Sequence, residues 1–486
     1  MDRYIKKIRQ AVPDGDIWIK ESTYAQTEGL RAIYATAEEK ECLIVDGCKA
    51  FLFEGEAVNG IKVCPLNHGN RLALNREISY TKPQAIGTEA ASFGCGDRLG
   101  LANAGQLAAV RQTRVKPVLA QQSLRELYLT GRSYDDVIDA ASWAVFKSGY
   151  REGYGADGDH LKTKQEVEAA LEHGCSMITL DCSGVLRKPP VRAEALSQAY
   201  GQIPAGKRLI LEEEYLNLTH AASIGISFTR QTWMEVLVTY LDPVELAEEI
   251  YMELIRSRGR RIDYEISLDE TVHTTSAAAH YFVARELKKR HVRISSIAPK
   301  FVGEFQKGID YIGDTESFRR NLRIHCAVAA CYGHKVSIHS GSDKFRVFPV
   351  IADETKGLFH VKTSGTSWLE AVRVIARNAP DLYRRMHRKA LEHLEEARSY
   401  YKVDCDVSAI RPLDRTADDE LPAYIEQVDS RQLMHIAYGI LLNDTEMHDA
   451  IYEFLKKNEK MYEMQVKQHI EKHLKSLGCL RQLTDN

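Results

Sequence analysis

Four short stretches of this sequence gather side chains able to bind a metal, move a proton or hold an acid. GADGDHLKT (155–163) sets Asp159 beside His160, with glycines at 155 and 158 that let backbone approach closely. In an extended segment these neighbours point in opposite directions, so one can bind a metal while the other faces a substrate. The plainer alternative is a turn in which Asp157 or Asp159 caps a helix beginning near Thr163. KVSIHSGSDKF (335–345) reads as an alternating strand ending in His339, Ser340, Ser342, Asp343 and Lys344, an imidazole followed by anion donors and a carboxylate. In SSIAPKFVGEFQKG (295–308) a strand stops at Pro299 and is followed by Lys300 and Glu304. In SFGCGDRLGLA (92–102) glycines surround Asp97-Arg98, a tight turn presenting an arginine whose planar fork suits a carboxylate, or a structural Asp-Arg pair. It lacks the glycine order of a phosphate loop or a dinucleotide fingerprint.

These groups need a scaffold that brings distant segments together. From about 90 to 365, apolar runs of four to six residues alternate with helical patterns, the signature of a parallel sheet. The predicted strands are 116–122, 142–149, 176–183, 208–214, 263–270, 293–300, 334–341 and 358–365. Eight strands with helices between them predict a (β/α)8 barrel rather than an open doubly wound sheet. In a barrel the chemistry sits at the C-terminal ends of the strands. Those ends carry Gln121-Gln122, Asp181, Glu265 with Asp269-Glu270, Lys300, His339 with Ser340, and His360 with Lys362. His160, His339 and a nearby carboxylate together meet the needs of a catalytic divalent-metal site with an open position. Residues 1–88 read as a β-rich N-terminal segment, 89–365 as the catalytic barrel and 366–486 as a helical C-terminal extension, on which His387, His393 and His448 are expected at the surface.

Composition narrows the partners. Lys plus Arg number 65 against 68 Asp plus Glu, so no global basic field invites nucleic acid or anionic lipid. No apolar run is long enough to span a membrane and the N-terminus is charged from its second residue, so a cytoplasmic protein acting on small molecules is expected. Ten cysteines without a CxxC pair read as reduced, mostly buried residues. The chain length leaves room for a homo-oligomer without requiring one.

The order Asp159-His160, MITLDCS (177–183), YEISLDE (264–270) and SIHSGS (337–342) resembles the chemistry-bearing segments of class II, metal-dependent aldolases. Over essentially the whole chain, SFGCGDRLGLA, GADGDHLKT, APKFVGEFQKGIDY, SIHSGSDKF and HVKTSGTSWLEA resemble the tagaturonate epimerase family. That resemblance implies a metal-dependent epimerase interconverting tagaturonate and fructuronate at C4 in hexuronate catabolism, by retro-aldol and aldol steps. The alternative is an aldolase acting on a keto-sugar or sugar acid. Carried over by position, Asp159 is the proton acceptor and His160 a metal ligand, with His339 the second ligand. Glu304 is the choice for the third ligand, with His360 and Asp181 as competitors. Glu265 is the choice for proton donor, which requires its pKa to be raised. Arg98, Lys300 and Lys344 are the candidates to receive the substrate carboxylate or polarise its carbonyl. The implied cofactor is a divalent cation (Zn, Mn, Co, Ni or Fe), with neither a nicotinamide nor pyridoxal phosphate.

Overall fold

The computed structural model of the chain describes residues 1–12, 17–218, 221, 224–271, 273–401 and 403–481. After the helix Asp2–Ala11, strands β1 (Ile17–Thr27), β2 (Leu30–Ala37), β3 (Lys40–Asp46), β4 (Glu56–Val58) and β5 (Ile61–Pro65) form an antiparallel sheet in the order β1-β2-β3-β5-β4. Alternation puts Ile33, Ala35 and Ile44 against the first helix, while Leu30, Tyr34, Leu43 and Val45 on the other face pack with Trp143 and Phe146.

Eight further strands close into a parallel barrel: β6 (Ser92–Gly94), β7 (Lys116–Ser123), β8 (Gly155–Leu161), β9 (Met177–Asp181), β10 (Asp263–Ser267), β11 (Ser296–Ala298), β12 (Lys335–Ile338) and β13 (Phe359–Lys362). Each strand pairs with its sequence neighbour, and β13 closes on β6. The predicted (β/α)8 architecture is therefore correct, although two of its strands are not those the apolar runs suggest. Residues 142–149 lie in the helix Tyr134–Ser148, which Ser133 and Asp136 start with a capping box and Gly149 ends in left-handed conformation. Residues 208–214 lie in the helix Ala205–Leu216, which buries Leu211 and Tyr215 and leaves Leu209 and Ile210 exposed. The barrel instead takes Ser92–Gly94, read above as part of a turn, and Gly155–Leu161, which lies outside the predicted strands. Capping of the helix Lys164–Glu172 falls to Thr163 with Glu166, which frees Asp157 and Asp159 for the barrel interior.

After β13 the chain is helical from Thr366 to Ser476 apart from short connections, and one hydrophobic cluster runs from the barrel wall into these helices. Trp368 is fully buried there and donates its indole N–H to Met434 O at 2.7 Å. His387 is also buried, against Ser430 Oγ, which corrects the surface position expected for it; His393 and His448 are half-buried at the surface. All ten cysteines are free thiols, of which Cys48 and Cys331 are exposed. No helix among the described residues is long and apolar enough to cross a membrane.

Candidate active site

The inner face of the barrel is polar toward the C-terminal ends of the strands, and a single ammonium organises it. Lys362, on β13, sits 2.7 Å from Asp159 Oδ1, 2.9 Å from Asp157 Oδ2 and 2.9 Å from Glu265 Oε1, and donates to Thr179 Oγ1 at 2.5 Å. Thr179 in turn donates to Asp157, and Ser296 to Glu265 Oε2. The residues come from β8, β9, β10, β11 and β13, so barrel closure alone brings them together. Burial would raise the pKa of the Glu265 carboxyl, but Lys362 and His339 outweigh it and hold it well below the usual range. Asp159 is likewise held well below its usual value, burial being overcome by His160 and Lys362. Asp157 is pushed up to about 6, by burial and by its two carboxylate neighbours against the pull of Lys362.

Asp159 and His160 do not point apart. The β8–β9 register slips between Gly158 and Leu161, and His160 takes a left-handed φ of 56°. This bulge inserts one residue and turns both side chains toward the same cavity, a strained device typical of functional sites. His160 Nδ1 then lies 2.8 Å from Asp159 Oδ1. Across the cavity the His160 and His339 rings lie 4.9 Å apart, centre to centre. His339 Nε2 faces Glu265 Oε1 at 2.7 Å and its Nδ1 lies 3.1 Å from Asp269 Oδ1.

His160, Asp269 and His339 each offer a ligand atom within 4.8 Å of the others. Both imidazoles have one ring nitrogen committed to a carboxylate, His160 to Asp159 and His339 to Glu265, which fixes the tautomer and frees the other nitrogen. His339 Nδ1 is buried without a hydrogen-bond partner. Four carboxylates (Asp157, Asp159, Glu265, Asp269) face one lysine, so the site seeks further positive charge. His339 is accordingly raised to about 10, burial being overcome by Asp269, and His160 is raised by Asp159. A divalent cation fits this donor set and this charge.

The cavity above these groups is lined by Gln121, Asp159, His160, Asp269, Glu270, Lys307, His339, Ser340, Ser342, Lys362, Ser364 and Gly365. Gln121 has neither amide atom paired. Gly94 leaves room for it, since a Cβ there would fall 1.8 Å from Gln121 Oε1 and push the amide aside.

Several residues singled out by the sequence lie elsewhere. Glu304, expected as third ligand, is exposed on an irregular segment paired with Ile312 and accepts from Gln306; it is Asp269 that lies with His160 and His339. His360 bonds Ser92 Oγ at 2.9 Å below the cavity, neutral because burial lowers it to about 3, and Asp181 caps Ser183. Glu265, expected as proton donor with a raised pKa, is fully buried outside the cavity lining and held below the usual carboxylate range by Lys362 and His339. Arg98 is consumed by Glu126, His435 O and the face of Tyr438, behind the wall formed by Gly365. Lys300 donates to Thr271 O. Lys344 is buried and donates to the carbonyls of Gln306, Ile309 and Ser342. None of these three lines the cavity, whereas Lys307 does and makes no ion pair among the described residues. Lys362 and Asp269 stand at predicted strand ends; what the sequence does not reveal is that both line one cavity.

Comparison with known proteins gives a consistent picture. The sequence profile described as tagaturonate epimerase matches residues 21–477. The tagaturonate/fructuronate epimerase of Thermotoga maritima is 35% identical over 466 residues, covering 94% of this chain and 96% of its own. Crystal structures of fructuronate-tagaturonate epimerase from Cohnella laeviribosi, 44% identical, superpose with a TM-score of 0.91 for the native form over 98% of this chain and 99% of theirs. The form with two glycerols gives 0.92 over 99% and 100%. On this sequence and structural likeness along nearly its full length, the chain belongs to the tagaturonate epimerase family, a family of isomerases.

Proposed function

We propose that the chain is a metal-dependent C4 epimerase of hexuronate catabolism that interconverts D-tagaturonate and D-fructuronate by breaking and remaking the C3–C4 bond. The observation that carries this reading is the convergence of His160, Asp269 and His339 beside the Asp159 carboxylate, in a chain whose relatives are named for these two sugar acids. The C4 centre bears a hydroxyl and is not adjacent to the C2 carbonyl, so enolisation toward C3 leaves it unchanged. A retro-aldol step reaches it. Asp159 accepts the C4 hydroxyl proton, the C3–C4 electron pair moves toward the C2 carbonyl to give an enediolate, and C4 becomes an aldehyde. The aldehyde turns, the bond re-forms on its other face, and Asp159 returns the proton to the C4 oxygen. One carboxylate serves both directions, so no separate proton donor is needed. A divalent cation (Zn, Mn, Co, Ni or Fe) held by His160, Asp269 and His339 supplies Lewis-acid stabilisation of the developing charge.

Lys362 keeps Asp159 ionised and fixed in direction. Lys307 on the cavity wall is the cation left to receive the substrate carboxylate, and Gln121 and the serines 340, 342 and 364 are partners for hydroxyls. Epimerisation on this route requires the cavity to retain the two three-carbon fragments between half-reactions. A cytoplasmic location suits such an enzyme. Incubation of purified protein with tagaturonate, followed by NMR, tests the reading. Fructuronate should appear without free three-carbon products, and accumulation of those products would replace epimerase with aldolase.

A further inference from the structure

A second cluster of metal-ligating side chains lies outside this site. The C-terminal helix Glu459–Ser476 carries His469 and His473 one turn apart, and both meet Asp343, which follows the cavity-lining Ser342. Asp343 Oδ1, a His469 ring nitrogen and a His473 ring nitrogen all lie within 4.8 Å of one another. We infer that Asp343, His469 and His473 form a second divalent transition-metal site, structural in role, which fastens the loop after β12 to the C-terminal helix.

The arrangement has the features of a built site. His473 Nδ1 lies 2.9 Å from the carbonyl of His469, which fixes its tautomer with the proton on Nδ1 and the lone pair on Nε2. His469 Nδ1 faces Glu370 Oε1 at 3.4 Å, leaving Nε2 directed at Asp343. This is the carboxylate-histidine and carbonyl-histidine support that metal-bound imidazoles receive. Arg431 holds Asp343 Oδ2 at 2.6 Å, which orients the carboxylate and leaves Oδ1 free. Asp343 Oδ1 and His469 Nε2 are buried atoms without a hydrogen bond, although only 2.7 Å apart. The two atoms form an ion pair when His469 carries a proton on Nε2, and a metal cation can take that proton's place.

The dimensions suit an ion. Metal–ligand bonds of about 2.0–2.2 Å in a tetrahedral set place ligand atoms about 3.4 Å apart. His473 Nε2 already lies 3.5 Å from Asp343 Oδ1, and the His469 contact must open by about 0.7 Å to reach this spacing. Binding displaces one hydrogen bond, from the Asp343 amide to His473 Nε2. Asp343 has a left-handed φ of 59°, and such a conformation persists where its surroundings hold it. An open cleft lined by Asp343, Phe345, Glu370 and His469 gives access from solvent. Two imidazoles and one carboxylate select a borderline ion such as Zn(II), with water as the fourth ligand.

Metal counting on the full-length protein tests this. The protein is stripped with chelator, reloaded with Zn(II), desalted and analysed by elemental mass spectrometry. Two zinc ions per chain are expected for the wild type, one for His469→Gln and one for His339→Ala. Asp343→Asn gives a second route to the same loss, and far-UV circular dichroism verifies that each variant is folded. Zn(II) should also raise the melting temperature of His339→Ala but not of the His339→Ala/His469→Gln double variant. A wild type holding one ion that His469→Gln keeps and His339→Ala loses overturns the second site and leaves the catalytic reading intact. One ion lost in His469→Gln and kept in His339→Ala does the reverse. A wild type with no tight ion overturns both.

Discussion

Replacing Lys362 with methionine removes one charge from the centre of the barrel and keeps most of the volume. In the wild type its ammonium contacts Asp159, Asp157 and Glu265 at 2.7 to 2.9 Å, with all four groups buried. At these distances each pair is worth about 6 kcal/mol at an effective dielectric of about 20, before desolvation and the mutual repulsion of the carboxylates are subtracted. The net effect of deleting one partner of a buried pair is about 3–5 kcal/mol of destabilisation. The pH dependence gives the sharper signature. Without Lys362 the carboxylates lose the attraction that opposes burial, so their folded pKa values rise above the unfolded ones. A carboxylate raised in this way destabilises the fold increasingly as pH climbs through the interval between the two values. The variant's deficit, measured by urea unfolding without added metal, should therefore be largest near pH 8 and smaller near pH 5. A deficit under about 1 kcal/mol at pH 8, or one that is the same at both pH values, would refute the role given to Lys362.

Asp159→Asn should keep metal content and lose about 10²–10⁴-fold in turnover, read by coupled epimerisation assay and elemental analysis. Asp269→Asn should weaken metal affinity by about 10-fold or more, while Glu304→Gln leaves it unchanged in a competitive chelator titration. Lys307→Met should raise KM for the sugar acid by about 10-fold or more with a smaller change in kcat, whereas Arg98→Met should show itself first as lost stability. The fourth expectation concerns three buried histidines linked in a row, His325 Nδ1 to His280 Nδ1 and His280 Nε2 to His334 Nε2, each bond 2.9 Å. Burial lowers all three, His325 to about 4 and His334 to about 3. A histidine depressed in the fold contributes stability that is complete above the unfolded pKa near 6.5 and is lost as pH falls below it. Urea-unfolding free energy should drop between about pH 6.5 and pH 4, and His334→Leu should flatten that slope by about one proton, or about 1.4 kcal/mol per pH unit.

The barrel is legible in the sequence because six of its strands are apolar runs between amphipathic helices. The other two are not, for opposite reasons. β8 reads GADGDHL because its inward positions carry Asp157 and Asp159 and its outward Gly158 has no space for a side chain, with a Cβ there falling 2.8 Å from Ala170. β6 has only three residues. Conversely, SWAVFKSG (142–149) resembles a strand until its Trp143 and Phe146 are seen to face the N-terminal sheet about one helical turn apart. In the site, Asp159 and His160 announce themselves by residue type between glycines and a polar turn, and His339 by its place at a predicted strand end. The part that stays hidden is pairing. Arg98 and Lys344 look available in the sequence and are spent on Glu126 and on three backbone carbonyls, while Lys307 looks ordinary and lines the cavity. Which cation is free depends on contacts such as that of Arg98 with His435, 337 residues away, which no local pattern encodes.

The extra residue in β8 has one more consequence. Because it seats Asp159 and His160 on the same side and joins them through a hydrogen bond, the proposed base and the proposed ligand are electrically coupled. An ion that draws more electron density from His160 leaves its other N–H more acidic, tightens the bond to Asp159 and makes that carboxylate a poorer proton acceptor. Exchanging one divalent metal for another should therefore move the alkaline or acid limb of the pH–rate curve as well as its height. On a regular strand, where adjacent side chains diverge, metal choice and base strength would be set separately; here evolution has to adjust them as one.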